Sequence, residues 1–216
     1  NEARFDHDPV TGESLGLLVE ELRSNLLLNS GTLATQDVTV TAVAHTLSFY
    51  GSGTVTLSGT HTATVIGTGA YPARTTLTFT PTAGTLTVTV SGTVEYANLE
   101  IGSFATSYIP TTSSTVTRAA DVASITGANF SSWYRQDEGT VFAQTSTTQA
   151  AQNRALISFD DATIDNAIQY RPAAVPGSSD HSRWVIRANS ANEVDIISDT
   201  IVETERYRAA FAFASN

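Results

Sequence analysis

Aromatic side chains near turn residues are the clearest chemical resource in this sequence. Tyr50, Tyr71, Tyr96 and Tyr108 fall in the first half, and Trp133, Tyr134, Tyr170 and Trp184 in the second. Sugars are held by flat aromatic faces and planar polar side chains in concave sites. Tyr71 precedes Pro72 in a Gly-rich loop, and Trp133-Tyr134-Arg135 stands between turn-like residues. Tyr50, Tyr71, Trp133, Tyr134 and Arg135 are therefore the candidate carbohydrate contacts. Trp184 alternates with Ile186 inside Arg183-Trp184-Val185-Ile186-Arg187, which predicts a core position for it.

Other chemistries find less support. Asp160, Asp161 and Asp165 cluster at a strand end and are the candidates for a Ca²⁺ site, but no Asp-x-Asp-x-Asp-Gly loop is present. Solvated turn acids are the plainer reading, so neither a metal nor another cofactor is expected. His7, His45, His61 and His181 show no spacing of a zinc pair. His45 and His61 lie in alternating runs and are expected on a polar face. No Gly-x-Ser-x-Gly motif occurs. Glu20, Glu21, Asp160 and Asp161 could supply paired carboxylates, yet nothing singles out one pair. The expectation is a protein that is not an enzyme.

The elements that must position these residues are strands. Between residues 31 and 100, roughly three residues in ten are Thr, far above ordinary usage. Val38–Thr41, Leu47–Phe49, Thr54–Ser58, Thr76–Thr80 and Thr85–Val90 alternate strictly between apolar and hydroxyl side chains. Period two with β-branched residues predicts half-buried antiparallel strands, the apolar set toward a core and the Thr set toward water. Glycines and Pro81 punctuate at turn spacing, the pattern of a sandwich or barrel. Residues 1–30 form a lead-in. There the turn Asp8–Gly12 precedes Leu15–Glu20, read as a short buried strand, with one turn or a short helix expected over Glu21–Asn25. Residues 101–121 are rich in hydroxyls with interleaved aromatics, a strap lying on a surface. Residues 122–216 resume as β, with strands read at Gly139–Gln144, Ala155–Phe159, Ala167–Tyr170, Arg183–Arg187 and Tyr207–Phe213, and a loop at Pro172–Asp180. The fold class expected is all-β, with two tandem antiparallel β-sandwiches of jelly-roll type. The apolar run at Ala209–Phe213 makes the second sandwich look incomplete.

Charge excludes some partners. The basic residues number 11, all Arg, against 21 acidic residues, giving a net charge of −10. Nucleic acid and anionic lipid would be repelled. No apolar run approaches the ~18–20 residues of a membrane span. There is no Cys, hence no disulfide framework, and no Met, so the chain reads as part of something longer.

Three stretches carry a family resemblance. Ala3-Arg4-Phe5-Asp6-His7-Asp8-Pro9-Val10-Thr11-Gly12, with Gly16–Glu21 and Ser24–Leu27, resembles a segment common in tail and fibre proteins of tailed bacteriophages. Asn98–Thr111 is similar to the closing strand of the carbohydrate-binding-module-like β-sandwiches in those proteins. Thr117–Asp121, Phe130-Ser131-Ser132-Trp133-Tyr134 and Glu138-Gly139-Thr140 resemble the lead-in to a laminin-G or concanavalin-like jelly roll. The resemblance implies a virion surface protein, a tail fibre or minor tail protein, that adheres to surface polysaccharide of a host bacterium. It also implies a homotrimer among other virion subunits. Arg4–Leu28 is the expected interchain segment, because Leu17, Leu18, Leu22, Leu26 and Leu27 give it more apolar surface than a short leader could bury alone. The alternative is a purely structural virion module that binds only other subunits.

Overall fold

A computed structural model describes residues 3–146, 155–163, 165–171, 181–200 and 207–214. The chain divides into two compact units, 1–124 and 125–216. The described residues are almost wholly β, in antiparallel sheets. The loop expected at Pro172–Asp180 lies outside them.

The first unit opens with a hairpin of β1 (Arg4–His7) and β2 (Ser14–Leu18). Asp8 forms its turn by accepting from the N–H groups of Val10 and Thr11. β2 is a strand as expected but not a buried one: Leu15 and Leu17 are exposed, because the hairpin carries no second layer on that side. The helical turn expected over Glu21–Asn25 is also corrected. Arg23–Asn25 is a strand, β3. Asn25 fixes it extended by donating to Ala97 O and Ile109 O and accepting from Leu27 N and Leu99 N, so one side chain replaces what a helix ladder would supply.

The body of this unit is a sandwich. β4 (Gln36–Val40), β5 (His45–Tyr50), β6 (Thr54–Gly59), β7 (Ala63–Ile66), β8 (Thr75–Phe79), β9 (Gly84–Ser91) and β10 (Glu95–Ile101) form two sheets, ordered β4-β9-β6-β7 and β10-β5-β8. Val38, Val40, Val55, Leu57, Leu86 and Val88 from the first meet Leu47, Phe49, Phe79, Ala97 and Leu99 from the second. Leu27 from the lead-in and Leu33 just after it join that core. Thr39, Thr85 and Thr89 face water, as alternation requires. β5 departs from the pattern, with His45 buried on the core side with Leu47 and Phe49, and Thr46 and Ser48 buried on the side away from the core. The strap is the cause. It runs over that face and returns as β11 (Val116–Arg118), which pairs with β3. Thr46 donates to Gly102 O, and Asn98 and Glu100 of β10 bond the strap at Ser107, Ile109 and Thr106.

His45 thus corrects the polar-face expectation. It is fully buried, its Nδ1 lies 2.8 Å from Val43 O, and its ring stacks on Phe79. His61, expected in a strand run, lies in the turn between β6 and β7, and its ring stacks on the same Phe79 ring at 4.5 Å between centroids.

The second unit begins with the short helix α1 (Ala128–Ser131). Two sheets follow, β12 (Glu138–Thr145) with β17 (Tyr207–Ala214), and β13 (Ile157–Asp160), β14 (Ala167–Arg171), β15 (His181–Ala188) and β16 (Ala191–Thr200) in chain order. Val141 and Ala143 of β12 pack with Tyr170 and Trp184, and Phe211 stacks on Trp184. Trp184 is a core residue, as its alternation predicts. Tyr170, 2% exposed, is core as well and not a surface aromatic.

Candidate functional site

The tyrosines of the first unit converge. Thr46, Ser48 and Tyr50 share the β5 face opposite the core. Tyr50 closes that strand, and Gly51 follows it. The loop between β7 and β8 is hooked to this point by a two-way bridge, Gly51 N to Gly69 O and Gly69 N to Gly51 O. Backbones approach so closely that a Cβ on Gly67 would lie 2.0 Å from Gly51 O, which only glycine avoids. The hook sets the Tyr71 ring 5.6 Å from that of Tyr50.

Tyr96 arrives by a different device. The register of β10 against β5 shifts between Glu95 and Asn98, and Tyr96 takes a left-handed φ of 48°. A bulge of this kind re-aims a side chain out of the regular ladder. The Tyr96 ring stands 6.5 Å from Tyr50 and 5.4 Å from Tyr108 of the strap, edge to face in both cases. Tyr108 is fixed by its hydroxyl, 2.9 Å from Ser30 Oγ. Ser30 in turn exchanges hydrogen bonds with Thr111.

The result is a continuous row, Tyr71–Tyr50–Tyr96–Tyr108. Tyr71 and Tyr96 are 62% and 49% exposed, while the half-buried Tyr50 and Tyr108 back them. Edge-to-face contacts make it a ridged strip and not a flat platform.

The candidates of the second unit also come together. Trp133, 56% exposed, and Tyr134 follow α1 and pack around Phe130. Tyr134 stacks on Phe159 of β13. They line an open cleft of about 540 Å³ with Arg135, Glu138 and Phe213. Arg135 donates from Nε and Nη2 to both carboxylate oxygens of Asp137, and its Nη1 lies 3.3 Å from Glu138. Its planar fork is thereby occupied. The hydrogen bond from Arg135 holds the Asp137 carboxyl below its usual range.

The acidic turn is self-satisfied. Asp161 accepts from Thr163 and Asn166, and Asp160 from Ser158 and Ala162. Among the described residues no group of three His, Cys, Asp or Glu stands ready for a metal. Glu20 receives Ser107 N–H, Arg4 and Arg118.

Sequence reasoning missed one polar residue of the tyrosine row. Arg74 precedes β8 and donates from Nη2 to Ser48 Oγ at 2.7 Å, beside Tyr50. Its signal was composition: it is the sole Arg or Lys between Arg23 and Arg118.

The chain matches no protein-family model, no curated protein and no solved structure.

Proposed function

We propose that this chain is a glycan-binding part of a bacteriophage virion surface protein, a tail fibre or minor tail protein, which attaches to polysaccharide on a host bacterium. The observation that carries it is the tyrosine row. Two exposed rings, each backed by another ring, offer apolar faces to the C–H faces of successive sugars, with hydroxyls beside them. The placement on a virion rests on the quoted sequence motifs. Binding of the full chain to an array of bacterial oligosaccharides tests the reading. Specific binding that falls on Tyr71→Ala and Tyr96→Ala is the expected result. Binding to none, or binding indifferent to both substitutions, refutes it.

A structural virion module that binds only other subunits is the second reading. The hairpin favours it. Phe5 and Leu17 face each other across β1 and β2 and are 60% and 48% exposed. Such a face on a two-stranded ribbon is suited to another copy of the chain. A homotrimer built on this segment would also multiply weak sugar contacts. Light scattering should then report trimers for the full chain and monomers for Phe5→Ser with Leu17→Ser.

A further inference from the structure

The tyrosine row borders a cation that no described carboxylate pairs with. In the first unit Arg4 pairs with Glu20 and Asp121, Arg23 with Glu21, and Arg118 with Glu20. Arg74 has no such partner among the described residues. Among the described residues its side chain makes one hydrogen bond, to the neutral Ser48 Oγ. Nε is buried without a partner, whereas Nη1, which also bonds nothing, is not shut away from solvent. Burial pushes the Arg74 pKa down, against the attraction of Tyr50, Glu100 and Glu20. An arginine stays protonated at neutral pH nonetheless.

The position of this cation is defined by the fold. Ser48 and Tyr50 are two apart on β5 and share a face, so the guanidinium lies on the side of the sheet that carries the row. Arg74 also ends the loop that bears Tyr71, and its N–H is bonded to Pro72 O. A half-buried cation without a counter-ion costs free energy, and a ligand anion would offset that cost.

We infer that the tyrosine row takes an acidic glycan, one built of carboxylate-bearing sugars, with a carboxylate hydrogen-bonded to Arg74 Nη1 while the sugar rings lie on Tyr71, Tyr50 and Tyr96. This rests on the glycan-binding reading above. The net charge of −10 repels polyanions in general, so selection here is short-range and local to Arg74.

The test measures binding of the full chain to oligogalacturonate, oligomannuronate and oligosialate, each against its own methyl ester. At least one acid should bind about tenfold more tightly than its ester, the worth of a charge-assisted hydrogen bond. Arg74→Gln should abolish that preference; Arg74→Lys should retain part of it. Equal binding of acid and ester across the panel overturns the inference, and so does a preference that survives Arg74→Gln. The acid–ester comparison on the unaltered chain holds whether or not a variant folds. Failure of the underlying reading looks different: neither form of any sugar binds, or Tyr71→Ala and Tyr96→Ala leave binding intact.

Discussion

The two aromatic clusters of this chain differ in how their arginines are employed. On the first unit, Arg74 stands beside Tyr50 with a neutral hydroxyl as the one partner of its side chain among the described residues. On the second, Arg135 stands beside Trp133 and Tyr134 with its fork filled by Asp137 and Glu138. Ring exposure is similar, with Tyr71 at 62% and Trp133 at 56%. Exposure alone therefore does not rank the two surfaces. What separates them is unused hydrogen-bonding capacity next to the rings, and the support beneath them. The tyrosine row leans on a sandwich with two apolar faces sealed together and a strap bonded across the outside. The Trp133 cleft leans on a four-residue helix and a smaller core.

The largest break in this comparison is at Asn25. Its side chain serves four backbone groups that link the lead-in, β10 and the strap. Asn25→Ala would strand those groups in the interior, and each buried unpaired group costs ~1–3 kcal/mol. We expect the first unit to lose at least about 3 kcal/mol in urea unfolding, together with the Tyr108 end of the row. The second unit, followed by exchange protection of β12 amides, should be unchanged.

Acid should produce the next largest effect, again confined to the first unit. Burial by itself raises the Glu20 carboxyl, but Ser107 N–H, Arg4 and Arg118 bring it below its usual value. The hydrogen bond from Arg4 lowers Asp121. A carboxyl with a depressed folded pKa stabilises fully above its unfolded value, near 4, and loses that contribution as pH falls through the folded value. The anchor between hairpin and strap should therefore loosen below about pH 4. Glu20→Gln should reproduce part of this at pH 7, lowering stability by about 1–2 kcal/mol. Strap amides near Ser107 that stay fully protected at pH 3 would contradict the assignment.

The division between what was legible and what was not follows the range of the interactions. Where period-two alternation faces one core, the strands appear nearly where expected: β4, β6, β8 and β9 each lie within a residue or two. β3 was illegible because Arg23-Ser24-Asn25 has no apolar period, and it is a strand only through contacts far along the chain. The burial of Thr46 and Ser48 was illegible for the same reason, since nothing local announces what covers that face; His45 shares the parity of Leu47 and Phe49 and is buried with them. Tyr50 and Tyr71 were legible as aromatics beside turns. Their contact was not, because it depends on the Gly51–Gly69 bridge. Arg74 was visible as a lone cation, but that no described carboxylate pairs with it is a fact of three dimensions.

Within the site, ring removal should separate the clusters by a moderate margin. Tyr71→Ala with Tyr96→Ala should weaken sugar binding about tenfold, taking ~0.5–1.5 kcal/mol for each aromatic contact. Trp133→Ala should leave it unaltered. Titration calorimetry of the three proteins against one bound oligosaccharide decides the matter, and equal losses would erase the distinction drawn here.

The smallest effect is the most discriminating, because it would make the second cluster resemble the first. Asp137→Asn with Glu138→Gln removes both carboxylates from Arg135 and keeps the shapes of the side chains. The three groups are exposed, so such pairs contribute little to folding. No measurable change in melting midpoint is expected. The freed fork would then stand at the mouth of a cleft lined by Trp133, Tyr134 and Phe213. If an unpaired arginine beside aromatic rings is what draws a carboxylate sugar, the double variant should gain a weak preference for acid over ester. That gain should persist when Arg74 is replaced by Gln, since it arises on the other unit. It should also fade as salt rises, because Arg135 is exposed where Arg74 is half-buried. A double variant that folds normally yet shows no acid preference would mean that exposure to water cancels the attraction. The half-burial of Arg74, and not merely its lack of a partner, would then be the feature that sets the tyrosine row apart.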